Sequence, residues 1–199
     1  MPCPSAHLTE QRVVDFAMQL GKVDVSHCGL KWWETEFVPS GTASRQISPE
    51  LVALHTLAHV VINELVYACG YGSASLRERL YVSTESGREM LGVLIYTAAG
   101  DSDGTMGGLA RMALPMNLGP VLTDALQRAT WCSTDPVCME LGEAGQGPGS
   151  CNLAACHACA LLPETSCEEF NQFLDRGLLV GTHSSPSLGL FPEGRVATI

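Results

Sequence analysis

Six of the nine cysteines in this 199-residue chain fall between positions 132 and 167. Thiolates gathered in this way are what a zinc ion asks of a protein: four ligands in a tetrahedron, usually delivered as two close pairs from separate segments. Cys156-His157-Ala158-Cys159 is a C-x-x-C knuckle. Cys132 and Cys138 form a second, wider pair across Ser-Thr-Asp-Pro-Val, where Asp135-Pro136 favours a turn that folds the two sulfurs together. Cys132, Cys138, Cys156 and Cys159 are therefore the expected zinc ligands. Cys151 and Cys167 are close enough in sequence to replace one of them, and His157 could donate nitrogen. A metal-free role as small buried hydrophobes suits Cys28 and Cys69 better than the cluster. An odd number of cysteines, in a chain expected in a reducing cytosol, argues against a disulfide framework.

A second set of residues suggests different chemistry. His55 and His59 stand four apart, so on a helix they share a face and could both ligate a metal, with Asp101 or Asp103 arriving from the end of a strand. That would be the core of a metal-dependent hydrolase or nuclease. The general-base position of an H-E-x-x-H helix is taken by Thr56, however, and Glu64 lies on another part of the helix. A packing role, with each imidazole hydrogen-bonded to a neighbouring loop, is the simpler reading. Asp101-Ser-Asp-Gly-Thr lacks the twelfth-position glutamate of a calcium loop, where Met112 stands. Arg77, Glu78 and Arg79 fit an internal ion-pair network better than a nucleic-acid contact.

The elements that would carry these groups can be read from punctuation and periodicity. Ser48-Pro49-Glu50 is a strong helix start and Gly70 a stop, so a helix over 49–69 is expected to present His55 and His59. A helix over 9–20 and a strand region over 23–37 with Trp32 and Trp33 precede it. Residues 75–79 read as a short helix or turn leading into Leu80-Tyr81-Val82, and 90–98 as a buried strand. Pro120 would open a helix to Trp131, delivering Cys132 at its end. The glycine-rich segment between Cys138 and Asn152 reads as a flexible loop. Ser166 and Glu169 suggest a capping box for a helix bearing Phe170, Phe173 and Leu174, and residues beyond 181 a loose tail. The expected class is α+β: a single compact domain, mostly helical, with a small sheet and a cysteine zinc site.

Composition narrows the function. With 46% apolar residues the chain can bury a core, and its net charge of −10, with only 11 Lys and Arg, disfavours autonomous binding to a phosphate backbone. The apolar run over 51–69 is interrupted by His55, His59, Asn63 and Glu64, which argues against a membrane span. The N-terminal residues lack a basic and then apolar pattern, so a cytoplasmic location is expected.

The order of motifs resembles one family. His55-Thr-Leu-Ala-His59, Cys69-Gly-Tyr-Gly-Ser-Ala-Ser-Leu-Arg-Glu-Arg-Leu-Tyr81 and Tyr96-Thr-Ala-Ala-Gly-Asp-Ser-Asp-Gly-Thr-Met-Gly-Gly-Leu109 come first. Trp131-Cys132, Asp135-Pro136-Val-Cys138, Asn152-Leu-Ala-Ala-Cys-His-Ala-Cys159 and Pro163-Glu-Thr-Ser-Cys-Glu-Glu-Phe-Asn171 follow, with Leu174-Asp175-Arg176 after them. Together these resemble the zinc-binding C-terminal (MZB-type) domain of MrfA-like helicases and of the DrmB subunit of DISARM anti-phage systems. The resemblance implies that Cys132, Cys138, Cys156 and Cys159 hold zinc and that Cys167 matches a family cysteine. It divides the chain into an N-terminal region (1–47), the zinc-binding domain (48–180) and a tail (181–199). No G-x-x-x-x-G-K-[ST] loop occurs in the sequence. The implied function is a non-catalytic accessory subunit that docks on a helicase or other large defence-complex subunit and meets DNA only through the complex.

Overall fold

The computed structural model describes residues 48–83, 85–98, 108–141 and 145–194. The expected helix over 9–20, the strand region with Trp32 and Trp33, and the Asp101–Asp103 loop lie outside the described residues.

Helix α1 (Pro49–Cys69) begins and ends where its punctuation dictates. Ser48 Oγ accepts the Leu51 N–H at 3.3 Å, Pro49 occupies the first turn, and Gly70, at φ +69°, donates its N–H to Val66 O at 3.0 Å. By length and composition α1 could cross a membrane, but 72% of its apolar window is buried inside the protein. It is a central core helix. Its Val60, Val61, Ile62 and Leu65 pack with Val121, Ala125, Leu126 and Ala129 of helix α3 (Pro115–Ala129), with Leu76, and with Leu179 and Val180 of helix α5 (Arg176–Val180). Each large side chain buried there contributes roughly 1.5–3 kcal/mol.

Strands β1 (Leu76–Ser83) and β2 (Met90–Thr97) form one antiparallel ribbon, in register from Leu76 opposite Thr97 to Ser83 opposite Met90. The short helices α2 (Gly108–Met112) and α4 (Val137–Glu140) complete the regular elements. The result is the expected α+β class: one compact domain with five helices and a two-stranded sheet among the described residues.

Four local expectations are corrected. Residues 76–79 are strand, not helix or turn: Leu76, Glu78 and Leu80 point inward while Arg77, Arg79 and Tyr81 point outward. A glutamate in an inward position hid the alternation. Strand β2 is largely exposed, because a two-stranded ribbon has one face only to offer the core. Val93 and Ile95 use that face, Met90, Leu94 and Tyr96 lie on the other, and Leu91, on the side of Val93, is exposed near the strand's start. Helix α3 starts at Pro115 rather than Pro120, since Leu114 O accepts the N–H groups of both Asn117 and Leu118 and nucleates an extra turn, leaving Pro120 inside the helix. The helix expected after Ser166 does not form. Ser166 Oγ donates to Ser73 O at 3.3 Å, and Phe170, Asn171 and Phe173 all adopt positive φ. Asn171 imposes this path, its side chain donating to Leu162 O at 2.7 Å and accepting from Leu162 N at 2.9 Å.

Residues 181–194, expected as a loose tail, run as two 3-10 turns laid across α5 and α3. Leu190 and Phe191 donate their N–H groups to Leu178 O and Leu179 O at 2.9 and 2.6 Å.

Candidate metal centre

Three segments deliver the cysteines. Helix α3 ends at Ala129, and the chain turns through Cys132-Ser-Thr-Asp135, where Cys132 N donates to Asp135 Oδ2 at 2.8 Å and Asp135 N to Cys132 O at 3.0 Å. This β-turn, closed by the backbone bond and braced by the Asp135 carboxylate, returns the chain to Cys138, at the start of α4. Facing them, the knuckle 156–159 is wound so that Cys156 O accepts the N–H groups of Cys159, Ala160 and Leu161, and Cys156 N donates to Cys159 Sγ at 3.2 Å.

The four sulfurs all lie within 4.8 Å of one another. Cys132 Sγ is 3.6 Å from Cys156 Sγ, and Cys159 Sγ is 3.8 Å from both Cys138 Sγ and Cys156 Sγ. With Zn–S near 2.3 Å, neighbouring thiolates of a regular tetrahedron stand about 3.8 Å apart. The spacing, the donor set and the closed shell all fit zinc. The ion would be held by thiolates alone and would link the end of α3, α4 and the knuckle.

The surroundings favour negative sulfur. Arg176 is fully buried, with Nη2 3.7 Å from Cys138 Sγ and 3.0 Å from Asp135 Oδ1, Nη1 donating to Ala129 O at 2.7 Å and Nε to Ala154 O at 3.2 Å. Four thiolates and one zinc would carry a net −2, and this guanidinium would offset part of it. Thr134 Oγ1 lies 3.1 and 3.3 Å from Cys132 Sγ and Cys156 Sγ, and Gln146 Nε2 donates to Cys138 O at 2.8 Å and to Leu153 O. In the metal-free chain the hydrogen bond from Cys159, with the neighbouring Arg176, draws the Cys138 thiol down to about 5. That same hydrogen bond pushes Cys159 up, and burial pushes Cys156 up. Arg176, Thr134 and Gln146 were missed in the sequence, where only Leu174-Asp175-Arg176 stood out, as a motif without a role.

The alternative ligands go elsewhere. Cys151 is buried against Val52, Phe173 and Leu178, with Sγ donating to Gly149 O at 3.4 Å, and serves as a small apolar side chain. His157 is exposed on the knuckle. Cys167 belongs to a second constellation: His55, His59, Glu78 and Cys167 bring their ligand atoms within 4.8 Å of one another. Thus His55 and His59 share an inward face as expected, but Glu78 and Cys167 accompany them. Burial opposes ionisation of Glu78, yet the imidazoles of His55 and His59, with Nε2 at 3.0 and 3.4 Å from Oε1, outweigh it and hold the carboxyl well below the usual range. Burial, then the His55 charge, lowers His59.

Residues 57–160 match the family model of the MrfA Zn-binding domain, MZB, and this span contains all four clustered cysteines. Over 134 residues, 67% of the chain, the sequence is 43% identical to the DISARM protein DrmB of Bacillus paralicheniformis. The chain spans about a quarter of that relative's length, 23%. Zinc is thus the ion of the matching family and is compatible with the cysteine cluster on geometry. The match over more than half the sequence, together with the identity to DrmB, shows that the chain belongs to the MrfA Zn-binding domain family.

Proposed function

We propose that this protein is a non-catalytic, cytoplasmic, zinc-stabilised accessory subunit of a DISARM-type anti-phage defence complex, with Cys132, Cys138, Cys156 and Cys159 as its zinc ligands. The observation that carries the reading is the closed shell of four sulfurs at tetrahedral spacing inside the matched family span. A site with four protein thiolates keeps no position for water or substrate, which is the arrangement of structural rather than catalytic zinc. The partner is a helicase or another large DNA-processing subunit, reached through protein contacts, because a net charge of −10 opposes direct binding to a phosphate backbone. Among the described residues, Met90, Leu94 and Tyr96 on one face of β2 offer apolar surface for such a contact.

The rival reading, a metal-dependent hydrolase using His55, His59 and Asp101 or Asp103, has less support. The positions beside the two imidazoles are taken by Glu78 and Cys167, and all four side chains are buried.

Affinity capture of the full chain from its host, combined with metal analysis of a Cys156→Ala variant, tests the proposal. Zinc-dependent recovery of a helicase-class ATPase, with zinc and thermal stability both lost in Cys156→Ala, is the expected result. Nuclease or hydrolase activity of the purified chain, abolished in His55→Ala at unchanged melting temperature, would overturn it.

A further inference from the structure

The structure points to a second metal site: we propose that His55, His59, Glu78 and Cys167 bind a zinc ion of their own, closed and structural, in the core beneath the β-ribbon. His55 Nε2 lies 3.0 Å from Glu78 Oε1 and 3.2 Å from Cys167 Sγ, and His59 Nε2 lies 3.4 Å from Glu78 Oε1. Zn–N and Zn–O bonds near 2.0–2.1 Å and a Zn–S bond near 2.3 Å place neighbouring ligand atoms of a tetrahedron roughly 3.3–3.6 Å apart. A set of two imidazoles, a carboxylate and a thiolate is an ordinary zinc shell.

The groups behind the ligands are set for metal binding. His59 Nδ1 donates to Ala160 O at 2.9 Å, which fixes the tautomer and leaves the Nε2 lone pair turned toward Glu78. The backbone N–H of Asn171 donates to Cys167 Sγ at 3.0 Å, and that of Glu168 to Glu78 Oε1 at 3.3 Å. Both amides favour the anionic ligand forms. The two rings meet edge to face at 4.5 Å, and both Nε2 atoms approach Glu78 Oε1.

A metal-free network satisfies the site poorly. His59 Nε2 and Glu78 Oε2 are buried without a hydrogen-bond partner among the described residues. Orphaned polar atoms in an interior cost about 1–3 kcal/mol each. Zinc would engage His59 Nε2 directly. Its two positive charges also balance one carboxylate and one thiolate, giving a neutral centre, which suits an environment where His55 and His59 are 0% and Glu78 3% exposed. The ion would join α1, β1 and the positive-φ loop after Cys167, three segments far apart in sequence.

The test is metal stoichiometry and X-ray absorption on the full zinc-loaded chain. The expected result is two equivalents of zinc per chain, with an average shell of sulfur mixed with nitrogen and oxygen, falling to one all-sulfur equivalent in Cys167→Ala and in His59→Gln. One equivalent with an all-sulfur shell in the wild-type chain overturns this inference and leaves the cysteine site standing. One equivalent with a mixed shell overturns the cysteine assignment and supports this one. Because the wild-type spectrum alone decides, a variant that fails to fold does not shield the proposal.

Discussion

Arg176 shows how much one side chain can be asked to do. It closes two backbone carbonyls, pairs with Asp135 in the turn that presents Cys132, and places positive charge beside Cys138. Replacing it by methionine keeps the apolar stem but takes the guanidinium from Ala129 O and from Asp135 Oδ1, while Ala154 O keeps the Arg176 backbone N–H and Asp135 Oδ2 keeps the Cys132 N–H; breaking this buried pair should cost about 3–5 kcal/mol. Loss of a group that orients and offsets metal ligands should also weaken zinc binding by roughly 10–100-fold. Arg176→Lys keeps the charge without the fork of donors, so it should recover zinc affinity more fully than stability. Urea unfolding of the zinc-loaded protein and competition with a chromophoric chelator measure the two effects separately. Equal losses in both variants would mean that charge beside Cys138 is unimportant.

At the scale of elements, the loop before Asn152 turns a sequence expectation into a structural constraint. Read as a flexible connector, its described part is instead a tight hairpin in which Gln146 and Asn152 exchange both backbone hydrogen bonds. Gly145, at φ +62°, sits where a Cβ would overlap Ser150 O. Gly145→Ala should cost about 1–3 kcal/mol of strain and release Gln146 from Cys138 O and Leu153 O. Hydrogen exchange at the amides of Gln146 and Asn152 should then accelerate while the helix α1 amides stay protected; unchanged exchange in the loop would refute the constraint. Where local chemistry decides an element, the sequence was readable. Ser48, Pro49 and Gly70 bound α1, and the C-x-x-C spacing marks the knuckle, because caps and close cysteine pairs act within a few residues. Where tertiary partners decide, it was not. Glu78 faces inward for the sake of two histidines on another element, and Asn171 turns a capping-box sequence into a loop by bonding Leu162. Cys167, close enough in sequence to join the cysteine cluster, joins a different group of donors for the same reason.

For the molecule as a whole, zinc held by the four cysteines, as proposed, would compete with protons for the same sulfurs, and this fixes the sign of its pH dependence. In the metal-free fold Cys138 is drawn down to about 5 by its bond from Cys159 and by Arg176, whereas Cys156 and Cys159 are pushed up. At neutral pH, zinc binding must therefore displace at least the protons of Cys156 and Cys159. In the unfolded chain the thiols titrate at ~8.5, while bound zinc would hold them as thiolates in the folded state. The stabilisation from zinc is thus fully present above that value and is lost as pH falls. A structural zinc contributes on the order of 10 kcal/mol of apparent binding free energy at neutral pH. Chelation should therefore lower the melting temperature sharply at pH 8, and the gap between loaded and stripped protein should narrow steadily toward pH 5. Calorimetric titration of the stripped chain with zinc, repeated in buffers of different ionisation enthalpy, counts the protons released. Proton release near zero at pH 7, or a melting-temperature gap that widens on acidification, would show that thiolates are not the groups that hold the ion.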